Sequence, residues 1–165
     1  MKAKDIMQRQ IVTVTSDTKL SEVGKIIFGL QIAGVPVVEG KKLVGLITQT
    51  DILHKLYPSY QEFMEDYVHA KDFEAMEEVA GKLLDLSASD IMNKNVTTVS
   101  SDTAVMRVQS LMLTKGFGRV PVIDAKGNLL GIISQGDIFR AVVGQRLPLE
   151  EEESFYDWVA RHYDL

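Results

Sequence analysis

Residues 45 to 51 read "GLITQTD", and residues 131 to 137 read "GIISQGD". This doubling constrains the chain more than any other feature, because a fixed internal period dictates architecture before any single element does. Residues 5–42 align with 90–127 at an offset of 85 and are identical at 13 of 38 positions. One inserted residue, Asn128, moves the offset to 86, and residues 43–53 then match 129–139 at 6 of 11 positions. Whole words recur in order: "DIM", "SDT", "VPV". The chain is two copies of one unit.

Each copy predicts the same elements. "IVTVT" and "VTTVS" are β-branched and predict short strands. The small polar residues of "SDT" that follow are expected to cap a helix by accepting its first free amides, with the capping residue left open among the three. In the first copy Leu20, Val23, Ile26, Ile27 and Leu30 recur at helical spacing, as do Val105, Val108, Leu111 and Met112 in the second, so each helix is expected to bury one face. "VPVVEGKKLVGLIT" and "VPVIDAKGNLLGIIS" then predict hairpins, turning at Gly40 in one copy and at Gly127 with Asn128 in the other. A second helix opens at "TDILHKL" and "GDIFRAV". The fold class is therefore α/β (α+β), two β-α-β-β-α repeats. A unit of about 50 residues is marginal alone, and the two are expected to pack together through their sheets.

The expected division is a first repeat over 1–57, a helical insert over 58–88, a second repeat over 89–147 and a C-terminal helical extension over 148–165. Pro58 suits a helix start, and both extra segments are rich in helix formers. The acidic run Glu150 to Glu153 fits a solvated helix start.

Composition narrows the function. With 45% hydrophobic and 25% charged residues the chain has the profile of a soluble globular protein. Its apolar runs fall far short of the roughly 20 residues a spanning helix needs, and the N-terminus lacks an apolar signal core, so the expected location is the cytoplasm with no membrane partner. A net charge of −5 argues against a nucleic-acid surface. No cysteine is present, and the three histidines, His54, His69 and His162, lack ligand-like spacing, so no metal is expected. Neither a nucleophile elbow, nor a zinc-protease helix, nor a P-loop occurs, and no catalytic role is expected.

The duplicated T/S-x-x-D words carry what chemistry there is. Thr48 with Asp51, and Ser134 with Asp137, stand where a strand gives way to a helix, so unpaired amides and the positive dipole end face the space in front of them. A carboxylate there would accept two hydrogen bonds from the cis diol of a ribose, and the hydroxyl would donate to ribose or phosphate oxygens. The same words also describe a capping box, in which hydroxyl and acid satisfy amides of their own helix. The motif alone does not separate the two readings.

Taken together, "DIM" at the start of each copy, "VPV" after its first helix, and G-h-h-[ST]-x-x-D entering its last helix resemble the tandem CBS domain pair, over about 100 of the 165 residues. The resemblance implies a pseudo-twofold packing of the repeats and clefts that take an adenine nucleotide. It assigns ribose to Asp51 and Asp137, and ribose or phosphate to Thr48 and Ser134. It implies an adenine slot formed by Val12, Ala33 and Gly34 in one copy and by Thr97, Phe117 and Gly118 in the other. Small residues there would let backbone approach a ring, although a tight helix-to-strand corner accounts for the glycines equally.

Two positions distinguish the copies. Arg119 stands where the first copy has Gly34, and a basic residue there would grip phosphate, or else pair with a surface acid. Thr50 precedes the first acid where Gly136 precedes the second. The resemblance thus implies a stand-alone regulatory module for AMP, ADP or ATP, or failing those S-adenosylmethionine or a dinucleotide. Such a module is expected to form a homodimer through its helices and act on a separate regulated protein. A ligand-free structural or dimerisation module is the alternative.

Overall fold

The computed structural model describes residues 1–56 and 81–144. A short helix α1 (Ala3–Ile6) precedes the first repeat, which runs α2 (Leu20–Gly29), β1 (Gly34–Glu39), β2 (Lys42–Thr48) and α3 (Gln49–Leu56). Its counterpart α4 (Ala88–Ile91) precedes the second, which runs β3 (Val99–Ser100), α5 (Val105–Lys115), β4 (Arg119–Ile123), β5 (Leu129–Ser134) and α6 (Gln135–Val143). The duplication in sequence is a duplication in structure. Most of the expected insert and the whole C-terminal extension, with His69 and His162, lie outside the described residues. Residues 81–84 are helical, and Leu83 is buried against the first repeat.

The hairpins form as expected. β1 and β2 pair antiparallel with Gly34 opposite Thr48, and β4 and β5 pair antiparallel with Arg119 opposite Ser134. Each ladder slips at one bulge, between Val37 and Val38 and between Val122 and Ile123. Gly40 and Gly127 adopt positive φ, 61° and 83°, a conformation that a Cβ makes costly. The first strands are shorter than expected. "IVTVT" contributes a single parallel bridge, Val14 to Val37, and "VTTVS" only Val99–Ser100, parallel to β4. Each lies at the rim of its sheet, where little of it is paired.

"SDT" does not cap a helix. α2 and α5 begin after Lys19 and Ala104, neither of which makes a side-chain cap. The tripeptide instead closes a turn, in which the Thr15 amide donates to Thr18 Oγ1 at 3.0 Å and the Thr18 amide to the Thr15 carbonyl at 3.2 Å. Backbone from outside the repeat takes over part of the cap. The Leu20 amide donates to Leu86 O at 2.7 Å, and the Val105 amide to Met1 O at 3.2 Å.

Two cores result, and neither follows the chain order. Val14, Leu20, Val23, Ile27, Val35, Val37, Ile47 and Ile52 of the first repeat enclose Ala88 and Ile91 of α4. Val99, Val105, Val108, Met112, Val120, Val122, Ile133 and Ile138 of the second enclose Ala3 and Met7 of the N-terminal segment. Each repeat thus packs the segment that precedes the other. Leu30 is an exception to the expected apolar face, because it caps α2 and is exposed. The hairpin tips also meet, with Leu43 N donating to Gly127 O at 3.1 Å and Leu129 N to Lys41 O at 2.8 Å. Among the described residues no helix is long and apolar enough to cross a membrane.

Candidate functional site

The two strand-to-helix junctions are built alike. The Gln49 amide, first in α3, donates to the Ala33 carbonyl at 3.0 Å, and the Gln135 amide, first in α6, donates to the Gly118 carbonyl at 3.0 Å. These bonds fasten the residue before each "VPV" strand to the start of the following helix. Ala33, Gly34, Thr48, Thr50 and Asp51 are thereby gathered at one junction, and Gly118, Arg119, Ser134 and Asp137 at the other. Phe117 packs against the second core. Val12 is exposed and Thr97 half-buried, and neither is hydrogen-bonded to the described T/S-x-x-D residues.

Both motifs form complete capping boxes. Asp51 Oδ2 accepts from the Thr48 amide at 2.8 Å and from Thr48 Oγ1 at 2.7 Å, while the Asp51 amide donates back to Thr48 Oγ1 at 3.2 Å. Ser134 and Asp137 repeat this at 2.8, 2.7 and 3.2 Å. In each the cap engages one carboxylate oxygen.

The other oxygen distinguishes the junctions. Asp51 is half-buried, and among the described residues its Oδ1 has no partner. Asp137 is 6% exposed, and its Oδ1 accepts from Gln8 Nε2 at 3.1 Å and from an Arg140 guanidinium nitrogen at 2.6 Å. Burial by itself pushes the Asp137 carboxyl up. The bonds from Ser134 Oγ, the Ser134 amide, Gln8 and Arg140 outweigh it and hold the group below its ordinary range. Among the described residues no carboxylate pairs with Arg119.

Gln8 and Arg140 escaped the sequence reading because neither lies in a repeated word. The signal was present in the divergence between copies. Gln8 aligns with Asn93 and Arg140 with His54. The backbones of Gln8 and Asn93 make the same bridges, to Ile132 and Leu46 respectively. The shorter Asn93 side chain, however, accepts the Asn95 amide at 2.9 Å.

The glycines have separate reasons. A Cβ on Gly34 would lie 2.6 Å from Ile47 O, so the hairpin itself requires that glycine, whereas nothing lies within 4 Å of one on Gly118. On Gly45 a Cβ would collide with Met92 Sδ, and on Gly131 it would meet Met7 Sδ at 2.6 Å. The methionine of each "DIM" thus fills the space left by the glycine of the other half's G-h-h-[ST]-x-x-D.

A separate cavity of about 540 Å³ lies between β3 and α5, lined by Thr98, Ser100, Thr103, Arg107, Ser110 and Thr114 among others. It includes none of the residues at the two junctions. Among the described residues no cluster of histidine and acidic side chains is arranged to hold a metal ion.

Two like repeats packed crosswise, each ending in a T/S-x-x-D helix start, define the CBS pair architecture. The CBS domain family matches residues 3–58 and 88–144, and the chain belongs to it as a tandem pair. The chain is 31% identical over 155 residues to the protein MJ1426 of Methanocaldococcus jannaschii, covering 87% of this chain and 92% of that one. Another protein of the same organism, MJ0188, is 27% identical across the whole of this chain, which spans about half (53%) of that relative. Among solved structures, the CBS domain pair of protein MJ0100, in complex with 5'-methylthioadenosine and S-adenosyl-L-methionine, is 27% identical. It superposes with a TM-score of 0.65, over 88% of this chain and 98% of that one.

Proposed function

We propose that this chain is a regulatory ligand-sensing module that binds an adenine-containing ligand at one or both junctions and passes the event to a partner protein. AMP, ADP and ATP are the first ligands to consider, followed by S-adenosylmethionine and dinucleotides. The observation that carries the reading is the carboxylate of Asp51, fixed by its cap through one oxygen and, among the described residues, uncommitted at the other, which is what a ribose diol requires. The MJ0100 pair, which holds two adenosyl ligands, supports the same chemistry for this chain. Thr48 and Thr50 would meet ribose or phosphate oxygens, while Ala33, Gly34 and Val12 would flank the base. Ser134, Asp137, Gly118, Phe117 and Thr97 would do the same in the second cleft.

The crosswise packing supplies a route for the signal. A ligand at either junction touches a helix start whose sheet is filled by the other half's methionine, so it bears on the relation between repeats. It shifts that relation only by its difference in affinity for the two arrangements. Homodimerisation belongs to this proposal, and exposed apolar side chains on paired helices support it. Leu113 on α5 is 67% exposed and Phe139 on α6 is 61% exposed. The double variant Leu113→Glu, Phe139→Glu is expected to halve the mass of the particle in sedimentation equilibrium. An unchanged mass would remove these helices from the interface.

Calorimetric titration with AMP, ADP, ATP and S-adenosylmethionine tests the binding proposal, with Asp51→Ala and Asp137→Ala alongside the wild type. Loss of the carboxylate's charge-assisted bonds, worth about 1.5 to 3 kcal/mol, weakens binding roughly ten- to a hundredfold. The completeness of both capping boxes favours a second reading, a ligand-free interaction module in which the acids only start helices. Under that reading no ligand in the panel gives heat, and the variants are merely less stable.

A further inference from the structure

We infer that the two clefts sort adenosyl ligands by charge, the cleft at Asp137 taking a ligand that carries a phosphate and the cleft at Asp51 one that does not. The inference rests on the cleft reading above and adds a selectivity to it.

The same fold surrounds the two acids, so the comparison is controlled by the molecule itself. Four of the aligned positions at which the side chains differ stand out: Gly34 and Arg119, Asn93 and Gln8, Thr50 and Gly136, His54 and Arg140. Around Asp51 none of these residues is an arginine, and Oδ1 has no partner among the described residues. A bare diol can approach it without dislodging any described side chain.

Asp137 is already answered. Gln8 and Arg140 hold its Oδ1 at 3.1 and 2.6 Å, as a ribose would. A ligand that offers only a diol must dislodge them and leave a guanidinium without its carboxylate. A ligand that also brings a phosphate gives that guanidinium a new partner, in the paired geometry that guanidinium and phosphate form. Arg140 is able to make the exchange, because its side chain is 65% exposed while the acid it holds is 5% exposed. Arg119, opposite Ser134 in the ladder and without a carboxylate among the described residues, provides a second cation at the same junction.

The first cleft would not tolerate the same arrangement. A side chain on Gly34 would collide with Ile47 O and with Thr48, so the hairpin excludes an arginine there.

The experiment is calorimetric titration of the full chain with AMP and with 5'-methylthioadenosine, two ligands sharing an adenosyl group and differing in the phosphate. In Asp51→Ala, where the second cleft remains, AMP is expected to bind at least tenfold tighter than 5'-methylthioadenosine. In Asp137→Ala, where the first remains, that preference is expected to vanish or reverse. Arg140→His, which gives the second cleft the first cleft's residue and keeps Asp137, is expected to cut the AMP preference at least fivefold in the Asp51→Ala background. This arm stands even if Asp137→Ala fails to fold. Equal preference in both clefts, or a preference untouched by Arg140→His, overturns the sorting and leaves the cleft reading intact. Silence of the wild type to both ligands overturns the cleft reading, and the sorting with it.

Discussion

Asp51 and Asp137 occupy the same position in two copies of one unit, start their helices with the same three hydrogen bonds, and still differ in state. One is partly exposed and keeps an oxygen without a partner among the described residues; the other is buried and holds a glutamine and an arginine. The difference comes from side chains whose aligned counterparts have changed, one of them 129 residues away in the chain. Duplication copies the frame around a site faithfully, because backbone geometry and core packing tolerate little change. It leaves the occupants of that frame free to diverge.

The hardest test of this comparison is on the frame. Ile47 and Ile133 are fully buried, one in each core, and truncating either to alanine is expected to cost about 2–5 kcal/mol, read as a lower urea midpoint. Since each core encloses a segment that precedes the other repeat, both variants should unfold in one transition. Two separated transitions would mean that the repeats are independent units and that the crosswise packing carries little energy.

The next effect concerns the acids. Asp51→Ala is expected to lose about 1 kcal/mol of stability, the worth of a helix cap. Asp137→Ala removes a cap and a charge-assisted pair and is expected to lose about 2–3 kcal/mol. Equal losses in chemical denaturation would mean that Gln8 and Arg140 add nothing to the second junction.

Acid titration gives a related but smaller signal. The carboxyl of Asp137 is held below its ordinary range, so the folded protein binds its proton less readily than the unfolded chain does. Its contribution is therefore complete above the unfolded value of about 3.9 and is lost as pH falls through the lower folded value. Wild-type stability should drop more steeply below about pH 4 than that of Asp137→Asn. Parallel acid limbs would contradict the assignment.

The smallest effect lies at the ends of α2 and α5. Gly116 takes positive φ (73°) there, and its counterpart Gln31 takes the same left-handed conformation (53°) with a side chain attached. Gln31→Gly is expected to stabilise the protein by up to about 1 kcal/mol, the strain relieved exceeding the entropy lost. A loss of stability would show that Gln31 makes a contact offsetting its backbone cost.

How far the sequence could be read depended on whether a feature was local or shared by the copies. The two hairpins, their turn glycines and the buried faces of α2 and α5 were legible, because periodicity and turn chemistry act within a few residues. "SDT" was misread for a physical reason: what meets the amides of Leu20 and Val105 is distant backbone, Leu86 and Met1, which no local signal announces. Leu30 matched the helical spacing but fell one residue past the end of its helix. At the junctions, Thr48, Asp51, Ser134 and Asp137 were found by repetition, whereas Gln8 and Arg140 were passed over because they do not repeat.

By itself, then, the sequence determined that there are two units of one kind, the order of their elements and the presence of a carboxylate at each last helix. These follow from residue type and short-range spacing. Only the tertiary structure decided which segment fills which core, why glycine and methionine recur as partners across the halves, and which of the two acids is already engaged. Those depend on groups far apart in the chain meeting in space, and a hydrogen bond or a close contact is set by distance in three dimensions rather than by separation along the sequence.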